Sequence, residues 1–323
     1  MSHHPRPQSC LVTHTPHGAR QRQSALARVS FVLALAGVGQ LALGCASSSK
    51  PPAAESPTPA RTVHKREPLP PPPEPDPGPK YEAVDPETAP KQEPVKVSKA
   101  NQTIIDAKDR NEADRALDAG RHPGELLTFF DVKPGQKVAE IGAGEGYTSE
   151  LLARAVGKKG KVYAQNSQRV LDRVGDAWKE RLARPANKQI VRADRELDDP
   201  LPADAKNLDA VFSVLVYHDL VGANVDREKL NAAVFKALKP GGVYAVVDHS
   251  GRTRSGTDEV SSLHRIEESV VREEIEKAGF KLAGEGHFLR NPADARDWND
   301  APSAAADRRG TSDRFVLKFE KPK

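Results

Sequence analysis

From residue 99 onward, short apolar runs typical of strands alternate with stretches whose apolar residues recur at helical spacing. Short apolar runs of the kind that form buried strands lie at residues 137–141, 161–164, 189–192, 208–216 and 243–247. Between them, apolar residues recur at helical spacing, and the stretches end at glycines, as at Gly157, Gly279 and the Pro240–Gly242 turn. Strands that alternate with helices predict βαβ units, and therefore a parallel sheet with helices on both faces.

The last elements of the chain break this alternation. Weak strand signals at residues 281–288 and 315–319 follow each other without an intervening helix, which predicts a final antiparallel hairpin. The whole pattern therefore predicts an α/β fold whose seven-stranded sheet is mostly parallel and includes a terminal antiparallel strand.

The first 44 residues have the layout of an export signal. Residues 1–30 are polar and basic without an acidic residue, and an apolar run at 31–44 ends at Cys45. As a helix this run would rise only about 21 Å, whereas a hydrocarbon core is about 30 Å thick. The segment therefore predicts a secretory signal peptide rather than a membrane span.

Residues 41–49, Leu-Ala-Leu-Gly-Cys-Ala-Ser-Ser-Ser, resemble the lipobox of bacterial lipoproteins, with Ala42 where leucine is usual. The resemblance implies cleavage before Cys45, diacylation of its sulfur, and a membrane-anchored lipoprotein of the cell envelope. An uncleaved anchor, or a misassigned start codon that would leave the protein in the cytoplasm, stays open as the alternative.

Residues 45–98 are dominated by proline, with fifteen of the 27 prolines of the chain between residues 51 and 94. Such a segment buries too little apolar surface to offset the entropy of ordering, and proline favours the extended polyproline II conformation. We therefore predict three parts: a signal peptide at 1–44, a disordered linker at 45–98, and one folded domain at 99–323.

Charge and cysteine usage exclude several classes of protein. Lysine and arginine number 49 against 45 acidic residues, and a net charge of +4 gives no reason to expect a nucleic-acid partner. Both cysteines, Cys10 and Cys45, precede the predicted domain. Disulfides, cysteine-ligated zinc and thiol nucleophiles are therefore excluded from the domain.

A glycine-rich turn follows the first predicted strand and opens the first helix after it. Its sequence is Glu-Ile-Gly-Ala-Gly-Glu-Gly-Tyr, from Glu140 to Tyr147. Closely spaced glycines allow a tight turn that brings backbone N–H groups against a ligand. A dinucleotide site would need a glycine at position 147, where Tyr147 stands.

The turn resembles motif I of class I S-adenosylmethionine-dependent methyltransferases. The resemblance implies a Rossmann-like doubly wound sheet and S-adenosylmethionine as the cofactor. It also implies that Glu140 reaches the ammonium group of the cofactor, directly or through water. The loop residues that would pack under its amino-acid end are Gly142, Ala143, Gly144 and Gly146.

The resemblance extends from residue 109 to residue 322 and is nearest to a bacterial group of predicted methyltransferases. Those proteins share Tyr-His-Asp at 217–219 and Val-Asp-His-Ser at 247–250. In this family strand 2 usually ends in a carboxylate that binds the ribose hydroxyls. Here Gln165 and Asn166 stand there, and we expect their amides to bind the ribose more weakly, because a neutral amide is a weaker acceptor than a carboxylate. Asp194, after strand 3, matches the position of the acceptor for the adenine amine; a loop or capping carboxylate is the alternative.

Four polar side chains follow strands 4 and 5, namely His218, Asp219, Asp248 and His249. Ligands of parallel sheets bind beyond the carboxyl ends of the strands, so we expect all four in the cleft. A histidine suits proton removal from an acceptor hydroxyl, and we assign that role to His218, with Asp219 or Asp248 orienting an imidazole. A divalent metal held by Asp219, Asp248 and His249 is a second option, and a purely structural role for either histidine is a third.

Two further features bear on the acceptor. His264 lies where it could line an acceptor pocket or remain a surface histidine. The connection from Arg290 to Ser312 is far longer than a hairpin loop, which predicts a lid containing Asn291, Arg296 and Trp298.

Taken together, the residues predict a methyltransferase that acts on a small-molecule acceptor. Because S-adenosylmethionine is made in the cytoplasm, export of the domain conflicts with its supply. A non-catalytic, envelope-tethered binding module on the same scaffold is therefore the alternative. A nicotinamide oxidoreductase is disfavoured by Tyr147 and by the missing acid of strand 2.

Overall fold

One sheet of seven strands organises the computed structural model, which describes residues 94–323. The strand order is β3-β2-β1-β4-β5-β7-β6. The strands are β1 Lys137–Ile141, β2 Lys161–Asn166, β3 Ile190–Asp194, β4 Leu208–Val214, β5 Leu238–His249, β6 Lys281–Gly286 and β7 Arg314–Glu320. The predicted signal peptide, Cys45 and the linker up to residue 93 lie outside the described residues.

The sheet has the predicted Rossmann-like, doubly wound form. Strands β3, β2, β1, β4 and β5 pair in parallel, and β7 is antiparallel to both β5 and β6. The predicted final hairpin is confirmed, with the difference that β7 inserts between β5 and β6. The order reverses between β1 and β4, so the loops that follow these two strands diverge and leave a crevice.

Helices cover both faces of the sheet. They are α1 Lys99–Ile105, α2 Glu112–Arg121, α3 Pro123–Phe129, α4 Tyr147–Val156, α5 Gln168–Leu182, α6 Tyr217–Gly222, α7 Arg227–Ala237, α8 Val260–Leu263 and α9 Glu268–Lys277. On one face, Leu127 of α3 and Leu152 of α4 pack on Phe212. On the other, Leu230 of α7 and Ile275 of α9 are fully buried in a second cluster.

Strand β5 begins earlier than its sequence predicts. The Pro240–Gly242 turn was expected to separate α7 from a strand at 243–247, but α7 ends at Ala237 and β5 already starts at Leu238. Pairing with β4 shifts register between Leu208 and Ala210, which accommodates the turn as an irregularity within the strand. Among the described residues, no helix has the length and apolar character needed to cross a membrane.

Candidate active site

The glycine-rich turn between β1 and α4 depends on backbone conformations that favour glycine. The φ angles of Gly142, Gly144 and Gly146 are 68°, 57° and 84°. A Cβ atom at Gly142 would lie 2.5 Å from the side chain of Val216, and one at Gly146 would lie 2.4 Å from the ring of Trp178. At Gly144 nothing lies within 4 Å of that position. The turn is therefore packed at both ends and presents its middle glycine to open space.

Two buried amides from the end of β2 hold this turn in place. The Oε1 atom of Gln165 accepts a hydrogen bond from the Gly142 N–H at 2.9 Å, and its Nε2 donates to the Arg195 carbonyl at 2.6 Å. The Oδ1 atom of Asn166 accepts from the Gly144 N–H at 2.8 Å, and its Nδ2 donates to the Gly144 carbonyl at 3.0 Å. Both amides are fully buried and bonded at each end to the protein, so in this structure they hold the turn, and their contact with ribose hydroxyls stays a prediction.

Helix α5 anchors the turn through an ion network. Arg181 donates to both carboxylate oxygens of Asp114 in α2, at 2.7 and 2.8 Å, and to Glu150 in α4 at 2.7 Å. Its Nε also donates to the carbonyl of Glu145, within the turn. One buried guanidinium thus joins three helices to the glycine-rich turn.

Glu140 is a buried carboxylate beneath the turn. It accepts a hydrogen bond from the Ser149 hydroxyl of α4 and has no ion-pair partner in the described part of the chain. Burial raises the pKa of Glu140 to about 7, although bonds from Ser149 and Thr148 and the charge of Arg121 oppose the rise. A cation bound nearby would stabilise the ionised form of this carboxylate.

A small pocket, partly open to solvent, lies between α2, α3 and α4 and the carboxyl ends of β4 and β5. Its walls include Tyr147, Leu215 and Val247, together with Arg121 and Arg314. The Arg121 guanidinium lies 4.5 Å from the centre of the Tyr147 ring. Neither arginine forms an ion pair with another described residue; Arg314 is buried and donates to the Ser312 hydroxyl and the Gly120 carbonyl, so Arg121 is the better placed of the two to bind an anionic group. Sequence reasoning missed these two arginines, since neither belongs to a motif.

His218 and Asp248 form a buried pair where β4 and β5 end. Nδ1 of His218 lies 2.5 Å from Oδ1 of Asp248, whose carboxylate also accepts from the backbone N–H of His218 and of His249. Burial alone would lower the pKa of His218, but the Asp248 carboxylate raises it. Although burial opposes it, the charge of His218 and its hydrogen bonds hold the pKa of Asp248 below its usual range. Asp248, not Asp219, therefore orients the predicted base.

His264 and Asp219 complete a cluster around the outer nitrogen of His218. Nε2 of His218 lies 2.9 Å from Nε2 of His264 and 3.6 Å from Oδ1 of Asp219. His264 ends α8 in the left-handed conformation, with φ 59° and ψ 42°. This backbone turn brings its ring to the buried imidazole, so His264 is part of the site and not a remote surface residue.

The other predicted residues have other partners, although the His249 ring lies 5.4 Å, centre to centre, from that of His218. His249 contacts the Asp300 carboxylate and lies 2.9 Å from the Ser312 hydroxyl, and burial lowers the pKa of His249 to about 4. Asp194 ends β3, partly exposed, with its carboxylate 2.5 Å from Arg192. The alternative metal set of Asp219, Asp248 and His249 is not brought together, because Asp248 and the His249 ring are bonded to other protein groups.

The long connection after β6 is bonded to the rest of the fold along its length. Asp294 accepts hydrogen bonds from the fully buried Arg265 at 2.8 Å and from the Trp298 indole at 2.8 Å. Arg296 donates to the Gly251 carbonyl, and Asn291 donates to the Thr311 carbonyl. Asn291, Arg296 and Trp298, which we expected in a lid, thus form hydrogen bonds that fix the connection over the end of β5.

Comparison with known proteins assigns a family resemblance to the centre of the chain. Residues 139–246 match the family model described as a methyltransferase domain. A protein-L-isoaspartate O-methyltransferase of Aeropyrum pernix is 51% identical over 41 residues, which are 13% of this chain and 16% of that protein. The ubiquinone/menaquinone biosynthesis C-methyltransferase UbiE of Vibrio vulnificus is 28% identical over 118 residues, which are 36% of this chain and 43% of that protein. These matches span less than half the length of the curated relatives.

Among solved structures, a methyltransferase from Aquifex aeolicus described as dependent on S-adenosylmethionine aligns with a TM-score of 0.46 and 22% identity, over 68% of this chain and 98% of that one. The matched segment contains most of β1, the glycine-rich turn, β4 and most of β5. Residues 139–246 are therefore similar to methyltransferase domains, within a sheet of the Rossmann-like methyltransferase type.

Proposed function

We propose that this protein is an S-adenosylmethionine-dependent methyltransferase that acts on a small-molecule acceptor. The observation that carries the proposal is the open face of Gly144, close in sequence to the buried Glu140 and inside the segment that matches a methyltransferase domain. The His218–Asp248 pair lies at the carboxyl ends of β4 and β5, which follow β1 in the sheet. Parallel sheets bind their ligands beyond these ends.

The amino-acid end of the cofactor fits the residues present. A side chain at position 144 would fill the space beyond Gly144, and no described cation lies within ion-pair distance of Glu140, a place that the ammonium group could take. Arg121 lies nearby without a carboxylate partner and suits the carboxylate of an amino acid. The ribose end differs from the family pattern, since the amides of Gln165 and Asn166 are used by the turn itself.

The protein residues would position the acceptor and manage its proton. When bound, S-adenosylmethionine supplies an electrophilic methyl group for in-line displacement, so positioning provides much of the acceleration. Asp248 accepts from Nδ1 of His218, so Nε2, which lies 2.9 Å from Nε2 of His264, is the ring nitrogen that would face an acceptor hydroxyl. Nε2 is then the atom that receives the hydroxyl proton.

Replacing His218 tests this assignment. With methyl-labelled S-adenosylmethionine and a panel of phenols and catechols, His218→Ala should slow label transfer by about 100-fold or more, because a positioned general base contributes about that much. Cofactor binding, measured by calorimetry, should be unchanged. His287→Ala, which removes an exposed histidine, serves as the matched control. Equal label transfer by His218→Ala and the control would show that His218 is not the base.

The location of the protein is a separate proposal. The lipobox-like sequence at residues 41–49 supports a lipoprotein anchored in the cell envelope through Cys45. Incorporation of labelled palmitate at Cys45 in a bacterial host would test it, and its absence would favour the cytoplasmic alternative.

A further inference from the structure

Three potential metal ligands meet beyond the carboxyl ends of β4 and β5. They are Nε2 of His218, Nε2 of His264 and a carboxylate oxygen of Asp219, and all three atoms lie within 4.8 Å of one another. They come from the start of α6 and the end of α8, two elements far apart in sequence. The cluster therefore results from the tertiary fold and not from local sequence.

The distances suit a first-row divalent ion. Metal–nitrogen bonds of about 2.0–2.1 Å in a tetrahedral site place neighbouring ligand atoms about 3.3 Å apart. The observed separations from Nε2 of His218 are 2.9 Å to His264 and 3.6 Å to Asp219, on either side of that value. A hydrogen bond between the two imidazoles would explain the 2.9 Å between His218 and His264, but it would not explain why the Asp219 carboxylate lies beside them.

Asp248 provides the support that metal-binding histidines require. Its carboxylate binds Nδ1 of His218, which fixes the ring and directs the Nε2 lone pair outward. A carboxylate behind a ligating histidine is the usual second shell of such sites. Because Asp219 is exposed while His218 is buried, the open positions of an ion would face solvent.

We propose that His218, His264 and Asp219 bind a divalent first-row transition ion, such as Zn²⁺ or Fe²⁺, with open positions for an acceptor oxygen. Two imidazoles and one carboxylate select such ions over Mg²⁺, which prefers oxygen ligands. With the ion bound, Nε2 of His218 would be a ligand and no longer a base, and the ion would take over from it the task of acidifying the acceptor hydroxyl. The catalytic use of the ion rests on the proposed function, whereas its binding does not.

Titration of the metal-free full-length chain with Co²⁺, followed by its visible absorption, tests the site. Histidines outside the cluster, such as His3 and His4, can bind cobalt as a background common to all variants. Wild type and His287→Ala should therefore bind one equivalent more than His264→Ala. Asp219→Asn changes an exposed residue, so it should keep the fold while weakening this equivalent about tenfold or more. Zn²⁺ should displace the cobalt, and excess Mg²⁺ should not.

Equal cobalt binding by wild type, His264→Ala and Asp219→Asn would overturn the proposal, provided that circular dichroism shows all three folded. The titration contains neither cofactor nor acceptor, so its result is independent of methyl transfer. If the chain binds cobalt at this site but does not bind S-adenosylmethionine, the metal site stands and the proposed function is rejected. If it binds S-adenosylmethionine but not cobalt at this site, only the metal site is rejected.

Discussion

At the scale of single residues, Gln165 and Asn166 stand where methyltransferases usually have a carboxylate. Their amides form hydrogen bonds that hold the glycine-rich turn. Each amide offers a donor and an acceptor, and Asn166 uses both on Gly144. A carboxylate could accept from the N–H but would face the Gly144 carbonyl without a proton to donate. The departure from the family pattern is therefore explained by the way in which this turn is held.

Asn166→Asp tests that explanation. Placing a buried carboxylate oxygen against the Gly144 carbonyl should lower the free energy of unfolding by about 1–3 kcal/mol, measured by urea denaturation. Asn224→Asp, at an exposed position, should stay within about 0.5 kcal/mol of wild type. Tighter cofactor binding by Asn166→Asp, without loss of stability, would instead indicate that position 166 faces the ribose.

Glu140 predicts a pH dependence of cofactor binding. With its pKa at about 7, the carboxylate is mostly neutral in mild acid and ionised in mild base. An ammonium ligand prefers the ionised form, so affinity should rise nearly tenfold from about pH 6 to about pH 8. Calorimetry of S-adenosylmethionine across this range checks it, and Glu140→Gln should flatten the profile. An equally steep profile in Glu140→Gln would assign the effect to another group.

The same group predicts the pH dependence of stability. The pKa of about 7 in the native state lies above the 4.5 of a solvent-exposed glutamate in the unfolded chain, so the native state keeps this proton to higher pH. The free energy of unfolding contributed by Glu140 therefore falls as pH rises from 4.5 to about 7. Glu140→Gln should lack this decline.

At the scale of elements, the connection from β6 to β7 depends on one buried ion pair. Asp294→Ala would leave the Arg265 guanidinium buried without its carboxylate, and we expect the protein to lose about 3–5 kcal/mol of stability. Thermal and urea unfolding measure this loss, and Asp297→Ala, which changes an exposed neighbour, is the control. A loss no larger than in the control would show that the connection is held by other contacts.

The sequence predicted the elements that build the cleft but not all of its side chains. Strand alternation put Gly144, His218 and Asp248 at the carboxyl ends of β1, β4 and β5, and they lie there, because these ends of parallel strands share one edge. It could not place Arg121 or Asp300, which reach the site from α2 and from the connection before β7. Their positions depend on how distant elements pack, and no local pattern in the sequence reports that packing.

At the scale of the whole molecule, the two halves of the site meet where the strand order reverses. The turn after β1 presents Gly144 on one side, and the His218–Asp248 pair closes the ends of β4 and β5 on the other. Ligands of open α/β sheets bind in that crevice. The central claim is that the crevice binds S-adenosylmethionine.

Calorimetric titration of S-adenosylmethionine into the full-length chain tests this claim most directly. Gly144→Arg should abolish binding, since its side chain would fill the open space beside the turn. Gly135→Arg is the matched control, because Gly135 also has a positive φ and open space but lies before β1, at the opposite end of the strand. Our account predicts micromolar binding by wild type and Gly135→Arg, and none by Gly144→Arg. A folded wild-type chain that binds no cofactor would contradict it.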